Sequence, residues 1–474
     1  MHQDLLPLAE AAIKEHAMLQ VGDSVVVACS GGPDSLALLS ILARLRDAYD
    51  LTLTAVYVDH RLRPESADEG EFVKEQAERW GIAALVRQVE RDLHVSGQSL
   101  QALARNERYR LLEQVAEERQ AQRIAVGHNA DDQMETLMMR VLRGTGIPGL
   151  AGIPPVNGRI IRPLLYARRS DIEAYCRRLR LTPIQDPSNS CDDYLRNRIR
   201  HHLMPLLHEY NPRLQQALSR LADAARHDNT WLDALTDRFI AEQTFATDGG
   251  WWCPMQTFLQ QPLAMQRRVV RTLAQRASAA EDAWSVQDLE FGHTQAIIAL
   301  LRKSVTGTGY PLPSGGIVWV ERGGFWIGPQ HPQPTFLLNL EVPGEVTLPS
   351  GIRVTTRVIA GSSSLFGEFS RACAKSEALP WESKGLRTQL DYRQIRSPLQ
   401  VRQRLPGDRY QPAGLSGMKK LQDICVDEGI PRRWRDRLPV VTDSHGIIWL
   451  PGAKPAQRVS ASVNTSVILE IQLQ

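Results

Sequence analysis

Residues 24–45 read SVVVACSGGPDSLALLSILARL, an apolar β-rich run, a tight polar loop and an amphipathic helix. A glycine-rich turn between a strand and a helix N-terminus gathers backbone N–H groups at the positive end of the helix dipole. That suits an anion such as phosphate. Gly31 and Gly32 allow close backbone approach, Pro33 fits the first helical turn, where its missing N–H is harmless, and Ser30 and Ser35 add hydroxyl donors. A Walker loop would place a GK[ST] here, and none is present. Asp34 would repel a bare phosphate, so it points to a bridging magnesium ion or a cationic substrate group. Taken alone, SGG is equally an ordinary turn, and Asp34 a helix-start residue favoured by the dipole.

Outward from this junction, β-like runs at 25–30, 51–60, 84–90, 123–129 and 158–165 alternate with amphipathic segments. The expected class is α/β, with an N-terminal doubly wound, Rossmann-like parallel sheet whose ligand lies beyond the carboxyl ends of its strands. A helical domain and a small mixed α/β C-terminal domain follow. The expected boundaries are 1–210 for the catalytic domain, 211–330 for a mainly helical domain, 331–390 for a β-containing connecting segment and 391–474 for the C-terminal module. The stretch 361–385 reads as a loose linker. Trp251, Trp252 and the methionines near residue 138 read as packing.

The 474 residues are 43% hydrophobic and 23% charged, the balance of a soluble globular protein of two or three domains. No apolar run approaches membrane-spanning length, and the N-terminus lacks the pattern of an export signal. Six scattered cysteines without a CxxC favour a reducing cytoplasm over a disulfide framework or zinc site. The net charge of +3 confines any nucleic-acid surface to a local patch.

A second chemical cluster is GHNADDQMETLMMRVLRGTGIPGLAG at 127–152. Asp131, Asp132 and Glu135 fall within about one helical turn, able to hold a magnesium ion or an amine, and His128 is a candidate for proton transfer. A solvated acidic helix start is the plainer reading of that run alone. Arg63 and Arg105 could offset phosphate charge. Arg196, Asn197 and Arg200 sit in a basic run suited to phosphate contact, or to a solvated helix face. Within 401–437, nine Lys or Arg face five Asp or Glu, a net +4. Lys419, Lys420, Arg432 and Arg433 there are candidate RNA contacts. Tyr410 and Trp434 among them could stack on bases or belong to a small core.

SGGPDS resembles the pyrophosphate loop (PP-loop) of the N-type ATP pyrophosphatases. The 127–152 run resembles the HxxDDxxET signature of the tRNA(Ile)-lysidine synthase family. VDHRLRPES (58–66), LARNERY (103–109), DPSNSCDDYLRNRIR (186–200) and the tail at 404–441 resemble further blocks of that family. The resemblance implies an enzyme that adenylates the C2 oxygen of the wobble cytidine in a tRNA(Ile) with a CAU anticodon, releasing pyrophosphate. The ε-amine of free L-lysine then displaces AMP to form lysidine. It further implies ATP and Mg2+ as cofactors, Asp34 at the ATP and metal site, and Asp131, Asp132 and Glu135 towards lysine or metal. A homodimer is one assembly open to such a chain. A thiolase of the same superfamily and a non-catalytic RNA-binding protein are the rival readings; the first needs a reactive cysteine pair, the second a degenerate nucleotide loop.

Overall fold

In the computed structural model, residues 4–61, 66–90, 100–184, 195–280, 289–330, 335–360 and 386–473 are described. The chain forms two compact units divided between Leu232 and Asp233. The first begins α1 (Leu5–Glu15), β1 (Ser24–Ala28), α2 (Pro33–Tyr49), β2 (Thr52–Asp59), α3 (Ser66–Glu78), β3 (Ala83–Gln88) and α4 (Leu100–Glu118). It continues through β4 (Arg123–Ala125), α5 (Ala130–Arg143), α6 (Ile147–Leu150), β5 (Val156–Asn157), β6 (Ile160–Ile161) and α7 (Arg169–Arg178).

The sheet order is β3-β2-β1-β4-β6-β5, parallel except for the β5–β6 hairpin. Strand alternation explains the two-sided cover. Val25 and Val27 of β1 join the core beneath α1, α2 and α7, while Val26 points to the opposite core with Leu112, Val115 and Ala116 of α4. Because β1 lies between β2 and β4, the order of strands reverses there, and the loops leaving β1 and β4 flank the crevice at the switch point. Both sequence clusters leave the sheet at this crevice.

Past α7, α8 (Leu195–Arg198) passes through a π-helical turn at Ile199–Leu203 into α9 (Met204–Tyr210). Ile199 and Met204 bury against Met134 of α5, which fixes this basic segment beside the acidic helix.

The span 211–330 is mainly helical as expected, led by the 30-residue helix Leu214–Gln243, but it also holds a sheet that the sequence reading lacked. Helices at Leu263–Ala280 and Phe291–Lys303 pack on a five-stranded antiparallel sheet built from 245–254 and 309–329. Short strands such as GWWCP lack a long alternating pattern, and aromatic burial against the helices holds them. The expected connector at 331–390 supplies strands to the C-terminal core instead: Arg353–Ala360 and Arg387–Asp391 both pair with the last strand, Val467–Leu473. The linker expected at 361–385 lies outside the described residues. Two four-stranded sheets enclose this core, with Val354, Leu390 and Leu469 from one and Val401, Val441 and Trp449 from the other.

Asp443 anchors one edge of that core. Its carboxylate accepts bonds from Arg458 at 2.8 and 2.5 Å, from the Arg396 N–H at 3.1 Å and from the His445 N–H at 2.9 Å. Burial opposes ionisation, but the Arg458 guanidinium and the two N–H groups outweigh it and hold the pKa below its ordinary value. The stabilisation is therefore complete above the unfolded carboxylate value and lost as pH falls through the lower folded one. Asp443→Asn is expected to reduce stability by about 2 kcal/mol at pH 7. In urea unfolding the deficit shrinks as the pH falls below the ordinary aspartate value and on through the lower folded one; a deficit independent of pH would remove the charge from this account.

Candidate active site

The loop after β1 is set by Ser35, which is buried. Its Oγ accepts from the Ser30 N–H at 3.2 Å, donates to the Gly32 carbonyl at 2.9 Å and lies 3.4 Å from Ser30 Oγ. Gly31 adopts φ +79°, and a Cβ there would come within 2.7 Å of Ile184. The turn thus requires glycine on two counts. Gly32 caps α2 and Pro33 opens it, so the predicted loop residues do form one helix N-terminus.

Asp34, in the first turn of α2, accepts from Asn129 Nδ2 at 2.9 Å. Burial pushes its carboxyl up to about 6, with the Asn129 bond opposing and the nearby Asp132 charge adding to the rise.

Asn129 caps α5. Its Oδ1 accepts from the N–H groups of Asp131 and Asp132 at 3.0 Å each, and Asp132 Oδ2 accepts the Asn129 N–H at 3.0 Å. The three acidic residues then part. Asp131 Oδ2 accepts the N–H of Arg169, the first residue of α7, at 2.9 Å. Asp132 and Glu135 come together under two arginines. Arg196 donates to Asp132 Oδ1 and to Glu135 Oε2, both at 2.6 Å, and Arg200 Nε donates to Glu135 Oε1 at 2.5 Å. Glu135 is 2% exposed and Asp132 15%, so the cluster is a desolvated carboxylate pair neutralised by two guanidiniums. Burial alone would lower the Arg200 pKa, but its bond to Glu135 and the surrounding carboxylates raise it.

The expected phosphate contacts Arg196 and Arg200 are thus engaged by carboxylates from a helix more than 60 residues earlier. Asn197 is partly buried on the same helix.

His128 differs from the proton-transfer role expected of it. Its Nδ1 accepts from Arg162 Nε at 3.2 Å, which leaves the ring proton on Nε2. Burial, with the charges of Arg162, Arg105, Arg196 and Arg108, pushes its pKa down to about 3. At neutral pH it is a neutral ring and a very weak base. Arg105 is exposed and lies over the Tyr109 ring, 5.1 Å from its centroid. Arg63 lies outside the described residues.

Sequence reasoning missed Asn129, Arg162 and Gly127. The Asn-x-x-Asp spacing of a capping box was the available signal for the first. Gly127 leaves room for α2: a Cβ there would lie 3.1 Å from the backbone carbon of Asp34.

In the second unit, Lys419 is ion-paired with Asp427, and Arg432 shares Asp436 with Arg404. Lys420 is exposed and lines a 470 Å3 cleft with Arg404 and Asp436. Arg433 is not at the surface: it is buried against Glu321 and Asp248, so its place among the RNA contacts is corrected. Tyr410 is likewise core, 2% exposed, its hydroxyl donating to the Lys454 carbonyl at 2.8 Å. Trp434 packs on the same core under the guanidinium of Arg437.

A glycine-rich loop at a switch point, facing an acidic helix start, defines a nucleotide-binding domain of the PP-loop class. The family model described as the PP-loop domain matches residues 7–207, and the one described as the TilS substrate C-terminal domain matches 399–471. The tRNA(Ile)-lysidine synthase of Geobacillus kaustophilus is 35% identical over 461 residues, covering 95% of each chain. Those of Symbiobacterium thermophilum and Clostridium perfringens are 35% and 32% identical, covering 99% and 97% of this chain and 98% and 97% of their own. This chain belongs to the tRNA(Ile)-lysidine synthase family.

Proposed function

We propose that this protein ligates L-lysine to C2 of the wobble cytidine of a CAU-anticodon tRNA(Ile) at the expense of ATP. The observation that carries the reading is the convergence of the α2 loop and the acidic start of α5 on one crevice, joined through Asp34 and Asn129, in a chain of this family. The cytidine C2 oxygen attacks the α-phosphorus of ATP, forming an O–P bond as the bond to the β-phosphate oxygen breaks and pyrophosphate leaves. The lysine ε-amine then attacks C2; a C–N bond forms, the C–O bond to AMP breaks and the amine loses its protons.

The α2 N-terminus, with Ser30, Gly31, Gly32 and Ser35, binds the pyrophosphate portion through oriented N–H and hydroxyl donors. Among the described residues no three His, Cys, Asp or Glu side chains form a metal cluster. Magnesium bound with a nucleotide needs only one or two carboxylates besides the phosphates. Asp34 fits that role, and the bound ion would offset phosphate charge. Asp132 and Glu135 hold a lysine ammonium group by exchanging it for one of the guanidiniums they now carry. With a pKa of about 3, His128 serves as a hydrogen-bond donor through Nε2 rather than as a base.

Among the described residues the thiols do not favour the thiolase alternative; Cys191 and Cys373 lie outside them. Cys29, Cys176, Cys253 and Cys425 are all buried, and burial pushes the pKa up for each, to about 11 for Cys176 and about 12 for Cys253.

Purified protein incubated with ATP, Mg2+, labelled lysine and a CAU-anticodon tRNA(Ile) transcript is expected to transfer label to the tRNA. Transfer should be lost on omitting ATP. Absence of transfer with folded protein and intact tRNA would sink the proposal.

A further inference from the structure

Asn129 is 2% exposed, and its backbone N–H, Oδ1 and Nδ2 each carry a hydrogen bond. Its side-chain amide can sit only one way. Oδ1 faces two N–H donors on α5 and Nδ2 faces the Asp34 carboxylate, so a flipped amide would set donor against donor and acceptor against acceptor. Its own N–H holds Asp132 Oδ2 at 3.0 Å. One residue therefore touches the carboxylate at the nucleotide loop and the first turn of the helix carrying Asp132 and Glu135. These two elements come from different strands of the sheet and are otherwise independent in sequence, 95 residues apart.

The approach of α2 to this segment is close. Gly127 has no room for a side chain beside the Asp34 backbone, so the peptide leading into Asn129 lies directly against the turn that carries Asp34. Among the described residues Asp34 has one side-chain donor, Asn129, and without it the carboxylate could rotate about its Cα–Cβ bond. An aspartate that serves a metal–phosphate group must be held in one rotamer before the nucleotide arrives.

We infer that Asn129 is a positioning residue for adenylation, fixing the Asp34 carboxylate against the acidic helix start so that the nucleotide site and the amine site keep one mutual geometry. The inference rests on the proposed function, and it adds a residue whose role is separable from helix capping. A plain N-cap tolerates serine or aspartate, which cap nearly as well as asparagine. Neither can donate from the Nδ2 position to Asp34.

The test compares Asn129→Ser, Asn129→Asp, Asn129→Ala and Asp34→Ala in the full chain. Thermal midpoint, tRNA-dependent pyrophosphate release and the KM for lysine are measured for each. Asn129→Ser is expected to keep the midpoint near wild type, leave the lysine KM unchanged and lower kcat for pyrophosphate release by about 10–100-fold, whereas Asn129→Asp sets a buried carboxylate against that of Asp34 and lowers the midpoint as well as kcat. Alanine lowers the midpoint as well, through loss of the cap. If Asn129→Ser releases pyrophosphate at the wild-type rate, Asn129 is a cap only and the inference falls. Should serine lower the midpoint, Asn129→Thr, which caps a helix and carries no charge, decides the question by the same two measurements. Undiminished activity of Asp34→Ala is a different outcome: it overturns the role given to Asp34, and this inference with it.

Discussion

Asp34→Asn is expected to make the protein more stable and nearly inactive at the same time. Its carboxyl is pushed from 3.8 up to about 6, by burial first, against the opposing Asn129 bond, with the Asp132 charge adding to the rise. A folded-state value above the unfolded one means that ionisation at neutral pH works against folding. The shift of about two units corresponds to about 3 kcal/mol. The penalty is absent below the unfolded value, develops between about pH 4 and 6, and is complete above that. Asparagine has the same shape, carries no charge, and can still accept from Asn129. The thermal midpoint should therefore rise at pH 7–8 and match wild type near pH 3. Pyrophosphate release should fall by about 100-fold or more, because the replacement removes the anionic ligand from the phosphate site. A variant that loses activity and also loses stability at pH 7 would show that Asp34 is a structural carboxylate rather than one held ionised for a ligand.

The opposed effects follow from what the sequence could and could not reveal. The parallel sheet was legible because it is local: each strand is a short β-branched run bounded by an amphipathic helix, and the loop after β1 declares itself by SGGPDS. The acidic helix start was equally plain. What covers it was not. Arg196 and Arg200 read as phosphate contacts because a basic run shows its charge but not its partner, and their partners on α5 lie 61 and 65 residues earlier. Asn129 is a neutral amide without a charge or a titration to mark it, and only the Asn-x-x-Asp spacing of its cap shows in the sequence. The second unit was less legible still. Its sheets join strands separated by more than 100 residues, as Arg353–Ala360 does with Val467–Leu473, and such pairings leave no local period to read.

Arg433 shows how far a basic motif can mislead, and replacing it is expected to produce the largest stability loss of any change in the tail. The run IPRRWRDR looks like a phosphate-binding face. In the fold, the short helix Arg432–Arg435 turns Arg433 inward, where its side chain is 2% exposed. It pairs there with Glu321, and its Nε lies 3.3 Å from Asp248, over the face of Trp326. Burial pushes the Glu321 carboxyl above its ordinary value even beside this guanidinium. Arg433→Ala would leave that carboxylate buried without its partner, a change that typically costs about 3–5 kcal/mol. Asp248 is spared in part, because Arg437 also holds it, at 2.7 and 2.8 Å. Arg433→Met combined with Glu321→Gln removes both charges and should recover much of the loss, since an apolar replacement of a buried pair is often nearly neutral. Arg432→Ala and Lys420→Ala should behave in the opposite way. Arg432 is a third exposed and shares its partner, so stability should change by less than about 1 kcal/mol. If these two side chains meet tRNA phosphate, their loss weakens binding and flattens its salt dependence. Urea unfolding and tRNA titration at several salt concentrations separate the two kinds of arginine. Wild-type stability with weakened tRNA binding in Arg433→Ala would return that residue to the RNA surface; a destabilised chain that binds tRNA normally while folded places it in the core, where Glu321 and Asp248 hold it.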